Sequence, residues 1–206
     1  YIPEIEELQN PKNKFASEIY TADGEVLGRF FYGKDNRVAV NYTQISPYMI
    51  EALVATEDIR FFNHSGIDAR SLGRAIILRG LLGKASAGGG STITQQLAKL
   101  LYSPNTDNLF QRAMQKPIEW VIAVQLERFY AKEEIIAMYL NQFDFLNNAV
   151  GIKSASQVYF NVAPNELNRE QAALLVGMCK NPSLFNPNRF PERAKNRRNT
   201  VLDQLY

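Results

Sequence analysis

Two adjacent carboxylates, Glu57 and Asp58, precede His64 by seven and six positions, and His64 is the one histidine of this 206-residue sequence. The preceding apolar residues recur at helical spacing, and Ser46-Pro47 is typical of a helix start. Glu57 is therefore predicted near the C-terminal end of a helix, where the helix dipole and Asp58 both make it a better proton acceptor. This makes Glu57 the first candidate for a general base. The alternative is that the two carboxylates only cap and solvate the helix end.

A second candidate site follows a glycine-rich loop at residues 80–90. Ser91 is predicted to cap the next helix, and Thr92 with Gln95 fits a capping box. Glycines that lead into a helix start favour an anion site, because free backbone N–H groups point outward there. A nucleotide-binding P-loop is excluded, because Gly83-Lys84 is followed by alanine and the first glycine of that motif is missing.

The side chains of this second helix leave two interpretations open. Gln95 or Gln96 shares a helical face with Lys99, at spacings of four and three residues. This face could bind an anionic ligand, or it could be the surface of an ordinary capped helix.

A charged pair, Lys116 and Glu119, is spaced to lie on one face of a helix. Pro117 predicts a kink or a fresh helix start after a short helix at residues 108–115. Arg112 is placed on the same side across that kink. A structural ion pair is the default interpretation of Lys116 and Glu119.

Composition limits the chemistry that this chain can perform. With 46% hydrophobic residues it can bury one sizeable core, with or without a small lobe. A net charge of +2 does not favour a nucleic-acid partner. One histidine and one cysteine, Cys179, leave little support for a zinc cluster, a disulfide or a histidine-based triad. Any catalysis is therefore expected from carboxylates and cations.

The remaining pattern predicts a mainly helical chain. Residues 17–27 predict a β-hairpin with an Asp23-Gly24 turn, and residues 37–42 a further short strand. Residues 67–82 predict a basic amphipathic helix, either a core helix with a solvated face or one that lies on an anionic membrane surface. We divide the chain into an N-terminal linker with a hairpin, 1–43, and a main domain, 44–206.

The order of these stretches resembles that in the peptidoglycan glycosyltransferases, the family 51 transferase domains of bacterial class A penicillin-binding proteins. Five motifs carry the resemblance over about residues 46–202: Glu57-Asp58-x-x-Phe61-x-x-His64-x-Gly66, Gly90-Ser91-Thr92-Ile93-Thr94-Gln95-Gln96-x-x-Lys99, Lys116-x-x-Glu119, Tyr139-Leu140-Asn141 with Gly151-Ile152, and Ala172-Ala173-Leu174 through Pro182 with Asn186-Pro187.

Two positions depart from the family pattern. Gln115 stands where the family usually has arginine, and Leu100 where it has asparagine, so Arg112 is the nearest replacement for the missing cation.

The resemblance implies a lysozyme-like, two-lobed helical fold, with a large head lobe and a small membrane-facing lobe around residues 67–115. It also implies a membrane anchor before Tyr1 and a transpeptidase domain after Tyr206. The domain would lie at the outer face of the bacterial inner membrane. Its expected partners are lipid II, the growing glycan strand, the membrane surface and other cell-wall synthesis proteins, but not nucleic acid.

The resemblance also implies residue roles. Glu57 would deprotonate the 4-hydroxyl of the acceptor sugar, which attacks the anomeric carbon of the donor with inversion. The second catalytic residue, Glu119, would orient Lys116 or hold a divalent cation, Mg²⁺ or Mn²⁺, at the diphosphate, although no cofactor is required. Asp58 and His64 would support the site. The implied substrate-binding residues are Ser91, Gln95, Gln96, Lys99, Arg112 and Lys116.

Two alternatives to this function stay open from the sequence. A lysozyme-like hydrolase or lytic transglycosylase would also use a shielded glutamate on a helical scaffold, but it needs no cations for a diphosphate. A catalytically silent domain that docks on a membrane or a partner would not depend on Glu57.

Overall fold

The computed structural model describes residues 8, 17–23, 26–30, 38–75, 77, 90–103 and 108–205. Within these residues the chain is mainly helical, as predicted, with a short N-terminal hairpin. The elements are β1 Ser17–Tyr20, β2 Val26–Phe30, α1 Pro47–Glu57, α2 Ala69–Ala75, α3 Ile93–Tyr102, α4 Leu109–Phe129, α5 Lys132–Gln142, α6 Ile152–Phe160, α7 Arg169–Cys179 and α8 Pro191–Asp203.

The chain forms two compact units. The first contains residues 1–11 and 57–139, and the second contains residues 12–56 and 140–206. Every predicted site residue, from Glu57 to Glu119, belongs to the first unit. The predicted boundary at residue 43 and the small lobe around 67–115 stay predictions. No helix in the described part of the chain is long and apolar enough to cross a membrane.

The predicted hairpin is confirmed. β1 and β2 pair antiparallel, with Ser17 opposite Phe30 and Ile19 opposite Gly28, and the register shifts between Ile19 and Tyr20. The second half of the predicted turn, residues 24–25, lies outside the described residues.

The strand predicted at residues 37–42 is wrong for the described positions 38–42. The N–H of Val40 donates to Asn141 Oδ1 at 3.0 Å, and its carbonyl accepts from Asn141 Nδ2 at 2.9 Å. One side-chain amide therefore satisfies the backbone groups that a neighbouring strand would otherwise pair. A 3₁₀ turn, Tyr42–Gln44, follows directly.

Helix α1 begins at Pro47 and ends at Glu57, as predicted, and buries Met49, Ala52 and Leu53. The Ser46 hydroxyl does not cap this helix. Instead it donates to the carbonyl of Leu167 at 2.7 Å. Ser46 thus links the start of α1 to a segment more than a hundred residues away.

Helix α4 runs without interruption for 21 residues through Pro117. The predicted fresh start at Pro117, with a separate helix at 108–115, is therefore wrong. Proline removes one backbone hydrogen bond, but residues downstream of it, including Ile122 and Leu126, are fully buried. Helix α3 packs against α4, and we attribute the continuity of α4 to this burial.

The helix predicted at 67–82 is described only in part. Helix α2 covers Ala69–Ala75, and its first turn is capped by Asp68, whose Oδ1 accepts from the N–H groups of Arg70 and Ser71 at 3.1 and 3.3 Å. Residues 76 and 78–82 lie outside the described residues, so the predicted membrane-facing role of this segment stays a prediction.

The second unit also contains helices α7 and α8. Asn168 and Gln171 form a capping box at the start of α7, which packs against α8. A Cβ on Gly177 would lie 3.1 Å from Arg197 Cγ, so the small residue allows the two helices to approach. Cys179 is a free thiol and is buried.

Candidate active site

Glu57 is the last residue of α1 and is half-buried. Its Oε2 accepts a hydrogen bond from Gln96 Nε2 at 2.9 Å. The predicted position of Glu57 at a helix end is thus confirmed, and a residue of the second motif holds its carboxylate.

Gln96 joins Glu57 to a third segment of the chain. Its Oε1 accepts from the hydroxyl of Tyr139 at 3.0 Å, and the Tyr139 side chain is fully buried in α5. An ionised carboxylate can only accept hydrogen bonds, so the amide must turn Nε2 toward Glu57 and Oε1 toward Tyr139. Glu57, Gln96 and Tyr139 are therefore joined by one line of hydrogen bonds.

Asp58 is 8% exposed and faces the start of α3. Its two carboxylate oxygens each lie 3.0 Å from His64 Nε2, and Oδ2 accepts from the N–H of Ile93 at 3.1 Å. A carboxylate at the first N–H of a helix is stabilised by the helix dipole. These contacts place Asp58 and His64 as groups that join the first two motifs.

The loop that contains His64 is held in place by contacts with Lys132. The Lys132 ammonium donates to the His64 carbonyl at 2.6 Å, pairs with Glu127 at 2.7 Å and lies 4.2 Å from the centroid of the Phe61 ring. Glu127 Oε1 also accepts from the Thr94 hydroxyl at 2.6 Å. The sequence did not indicate Glu127 or Lys132, because neither belongs to a motif and they meet the loop only in the fold.

Gly66 brings this loop against α4. Its φ of +87° favours glycine, and a Cβ there would lie 2.8 Å from the backbone of Ala123. The Gly66 carbonyl accepts from the Thr92 hydroxyl at 2.7 Å. The loop after α1 and the start of α3 are thus held at a fixed separation.

Thr92, not Ser91, caps helix α3. The N–H of Gln95 donates to Thr92 Oγ1 at 3.1 Å, and the N–H of Thr92 donates to Gln95 Oε1 at 3.3 Å. Gln95 is 2% exposed. Its side chain therefore closes the capping box and is not available to a substrate, in contrast to the predicted role.

The backbone at the start of α3 is less open than the glycine-rich sequence suggested. The N–H groups of Thr92, Ile93 and Gln95 already have protein acceptors. The predicted anion site is therefore wrong for these three N–H groups. Residues 80–89 of the glycine-rich loop lie outside the described residues.

The predicted ion pair of the third motif is present. Lys116 Nζ lies 2.8 Å from Glu119 Oε2 and also donates to Ser91 Oγ at 3.2 Å. Ser103 donates to Glu119 Oε1 at 3.3 Å, and Glu119 is 3% exposed. The buried Glu119 thus holds the partly exposed Lys116 beside the start of α3. Ser103 carries no signal in the sequence.

Two further predicted cations, Lys99 and Arg112, are exposed. Lys99 follows Gln96 by three residues on α3, and Arg112 precedes Lys116 by four residues on the unbroken α4, so each pair shares a helical face. Among the described residues, neither cation has a side-chain hydrogen bond or ion pair. Both are therefore available to an anionic ligand.

A separate ion pair stiffens the segment between the first motif and α2. Both side-chain oxygens of Asp68 accept from the Arg60 guanidinium. Burial alone would raise the pKa of Asp68, but hydrogen bonds from Arg60 and Ser71 outweigh it and hold the pKa of that carboxyl well below its usual range.

Comparison with known proteins gives consistent matches. A family model described as Transglycosylase matches residues 23–206. Penicillin-binding protein 1A of Escherichia coli is 37% identical over 99% of this chain and 23% of its own length. Penicillin-binding protein 1F of Bacillus subtilis is 39% identical over 92% of this chain and 26% of its own length. Penicillin-binding protein 1A of Aquifex aeolicus is 38% identical over 99% of this chain and 27% of its own length. The chain thus spans about a quarter of the length of these curated relatives.

Proposed function

This chain belongs to the transglycosylase family, and from that membership we propose that it polymerises lipid II, a lipid-linked disaccharide-peptide, into glycan strands. The sugar is transferred with inversion, and polyprenyl diphosphate leaves. The substrate is a lipid, so the reaction takes place at a membrane, which we propose to be the outer face of the bacterial inner membrane. Other cell-wall synthesis proteins are the expected partners.

The hydrogen bond between Gln96 and Glu57 carries this proposal. It fixes a half-buried carboxylate beside α3, and the exposed Lys99 lies on the same face of α3 one turn further on, a rise of about 5 Å. A proton acceptor and a cation are thus presented by one helix. This combination suits a reaction in which a hydroxyl loses a proton while a diphosphate leaves.

Glu57 is the general base in this proposal. It takes the proton of the acceptor 4-hydroxyl, the oxygen forms the new bond to the donor's anomeric carbon, and the bond from that carbon to the diphosphate breaks. The electron pair of the broken bond stays on the diphosphate, which leaves as an anion. The leaving group therefore needs positive charge more than a proton.

Lys99, Lys116 and Arg112 supply that charge. Lys116 is partly exposed and anchored by the buried Glu119, so its ammonium is already in place when the negative charge develops. Ser91, which shares a hydrogen bond with Lys116, and Gln96 position the diphosphate and the sugar. Glu119 acts by orienting Lys116.

A divalent cation at the diphosphate, Mg²⁺ or Mn²⁺, would find few ligands in the described part of this chain. Both Glu119 oxygens already accept hydrogen bonds from Lys116 and Ser103. The described residues also contain no group of three His, Cys, Asp or Glu side chains that could hold a metal ion. These residues do not fit a metal held by the protein alone, and the proposed charge stabilisation comes from the lysine and arginine side chains.

The test compares two substrates with the whole protein at its natural length. Incubation with the lipid-linked disaccharide-peptide should yield polymerised glycan and release polyprenyl diphosphate, measured by gel separation of labelled products. Incubation with finished glycan should leave it intact. Cleavage of finished glycan without polymerisation would identify a hydrolase or lytic transglycosylase and overturn the proposal. No reaction with either substrate would identify a silent docking domain.

A further inference from the structure

We propose that Tyr139 is a positioning residue for the reaction, acting through Gln96 to hold the Glu57 carboxylate in place. The inference rests on the proposed role of Glu57 as the base. It assigns a function to a residue of α5 that would not itself touch the substrate.

The contacts support a directed chain of three side chains. The Tyr139 hydroxyl donates to Gln96 Oε1 at 3.0 Å, and Gln96 Nε2 donates to Glu57 Oε2 at 2.9 Å. A primary amide can be turned by 180° at little intrinsic cost, and then Oε1 would face the carboxylate, acceptor against acceptor. The carboxylate draws Nε2 toward itself because it only accepts, and the Tyr139 hydroxyl then donates to Oε1 and holds the other end of the amide in place.

Tyr139 can hold the Gln96 amide in place because its own position is fixed. Its side chain is fully buried, and its backbone belongs to α5. Tyr139 is 43 residues from Gln96 in sequence, so the two positions are fixed by different elements. Gln96, in contrast, is partly exposed, so burial alone does not fix its rotamer.

Other tyrosine hydroxyls in the described part of the chain show a different arrangement. Tyr130 donates to the carbonyl of Leu8 at 2.9 Å, and Tyr159 donates to the carbonyl of Phe145 at 2.7 Å. Each of these hydroxyls donates to a backbone carbonyl, and that of Tyr159 also accepts from Asn147 Nδ2 at 3.0 Å. The Tyr139 hydroxyl instead bonds a side chain that contacts the proposed base. Tyr130 belongs to the same compact unit as Tyr139 and is the matched control.

The kinetic test is a double-mutant cycle in the whole protein, with Tyr139→Phe, Gln96→Met and the combined variant. Loss of the hydroxyl should lower kcat for glycan polymerisation by roughly ten-fold, the effect of one good hydrogen bond, and leave KM within about two-fold. In the Gln96→Met background, Tyr139→Phe should change kcat by less than about two-fold, because the amide through which it acts is gone. Tyr130→Phe should leave kcat unchanged.

A second readout does not depend on activity. With selective ¹⁵N labelling of glutamine amides, the side-chain NH₂ signal of Gln96, assigned by its loss in Gln96→Met, should move in Tyr139→Phe and in Glu57→Gln. Tyr130→Phe should not move it. This measurement reports the hydrogen bonds from Tyr139 to Gln96 and from Gln96 to Glu57 even if the polymerisation assay gives no product.

The outcomes separate the two proposals. A shifted Gln96 signal with no polymerisation by the wild-type protein would overturn the proposed function and leave the Tyr139–Gln96–Glu57 contact intact. Polymerisation with an unmoved Gln96 signal in Tyr139→Phe would overturn the inference. An equal fall in kcat on Tyr139→Phe in both backgrounds would also overturn it, because the hydroxyl would then act independently of Gln96.

Discussion

The carboxylate of Asp58 accepts a hydrogen bond from the backbone N–H of Ile93 at 3.1 Å, so the residue next to the proposed base also caps the start of α3. The same carboxylate contacts the buried ring of His64. One acidic side chain therefore fixes the separation between the end of α1 and the helix that carries Gln96 and Lys99.

Replacement of Asp58 should therefore cost stability. Asp58→Asn keeps the shape of the side chain but loses charge-assisted hydrogen bonds, and we expect the free energy of unfolding to fall by about 2 kcal/mol. Urea unfolding followed by circular dichroism measures it. Asp203→Asn, at an exposed carboxylate at the end of α8, is the control and should change stability by less than about 0.5 kcal/mol. Equal effects of the two variants would contradict the structural role of Asp58.

Glu57→Gln should abolish polymerisation while the protein stays folded. The amide cannot accept the hydroxyl proton, so kcat should fall by at least about 10³-fold. Glu51→Gln, at an exposed position of the same helix, should leave kcat unchanged. Product analysis with the lipid-linked substrate measures both variants, and circular dichroism checks the fold. Polymerisation by Glu57→Gln at the wild-type rate would exclude Glu57 as the base.

Lys99→Ala should weaken binding of diphosphate groups. Its ammonium is exposed and has no partner in the described residues, so the fold should tolerate the change. Loss of one charge-assisted contact predicts roughly a ten-fold higher Kd for a diphosphate-containing substrate analogue, with a weaker dependence on salt. Isothermal titration at two ionic strengths measures it, and Lys195→Ala on α8 serves as the control. An unchanged Kd would remove Lys99 from the donor site.

Two glycines of the first unit form a matched pair. Gly66→Ala introduces a Cβ 2.8 Å from the Ala123 backbone at a φ of +87°, and should destabilise the protein by about 3 kcal/mol. Gly73→Ala places its Cβ on α2 with no described atom within 4 Å, and should stabilise it by about 0.5 kcal/mol. Thermal unfolding measures both. The opposite signs test the close approach of Gly66 to the Ala123 backbone directly.

The lowered pKa of Asp68 predicts that this residue stabilises the fold at neutral pH and loses its contribution in acid. Its pKa is held below the usual value in the folded state, so its contribution is fully present above about pH 5 and is lost as the pH falls below about 4, the range of an unperturbed aspartate. Urea unfolding at pH 7 and at pH 3 should show a smaller loss of stability in Asp68→Asn than in wild type. An identical loss in both proteins would show that the Arg60–Asp68 pair does not contribute to acid sensitivity.

Short-range patterns in the sequence predicted much of the fold correctly. The hairpin of β1 and β2 and both ends of α1 each depend on residues within a few positions of one another. The Lys116–Glu119 pair was also predictable, because a spacing of three on a helix brings the side chains together regardless of the surroundings.

The tertiary structure decided which of two similar residues does what. Gln95 and Gln96 are equivalent by spacing, yet the first closes the capping box and the second reaches Glu57. Ser91 and Thr92 are both typical helix-capping residues. Thr92 is the one that caps α3, and its hydroxyl also donates to the Gly66 carbonyl. Burial against α3 likewise carries α4 through Pro117. Local rules could not separate these cases, because the deciding partners are distant in sequence.

The proposed site itself shows the same division. The sequence by itself determined the residue types, a carboxylate at a helix end and cations at helical spacing, because these follow from composition and period. Only the tertiary structure decided that the Tyr139 hydroxyl donates to Gln96, and that Asp58 accepts from the N–H of Ile93. Hydrogen bonds are short and directional, so they form only where the packing of distant segments brings a donor and an acceptor to about 3 Å.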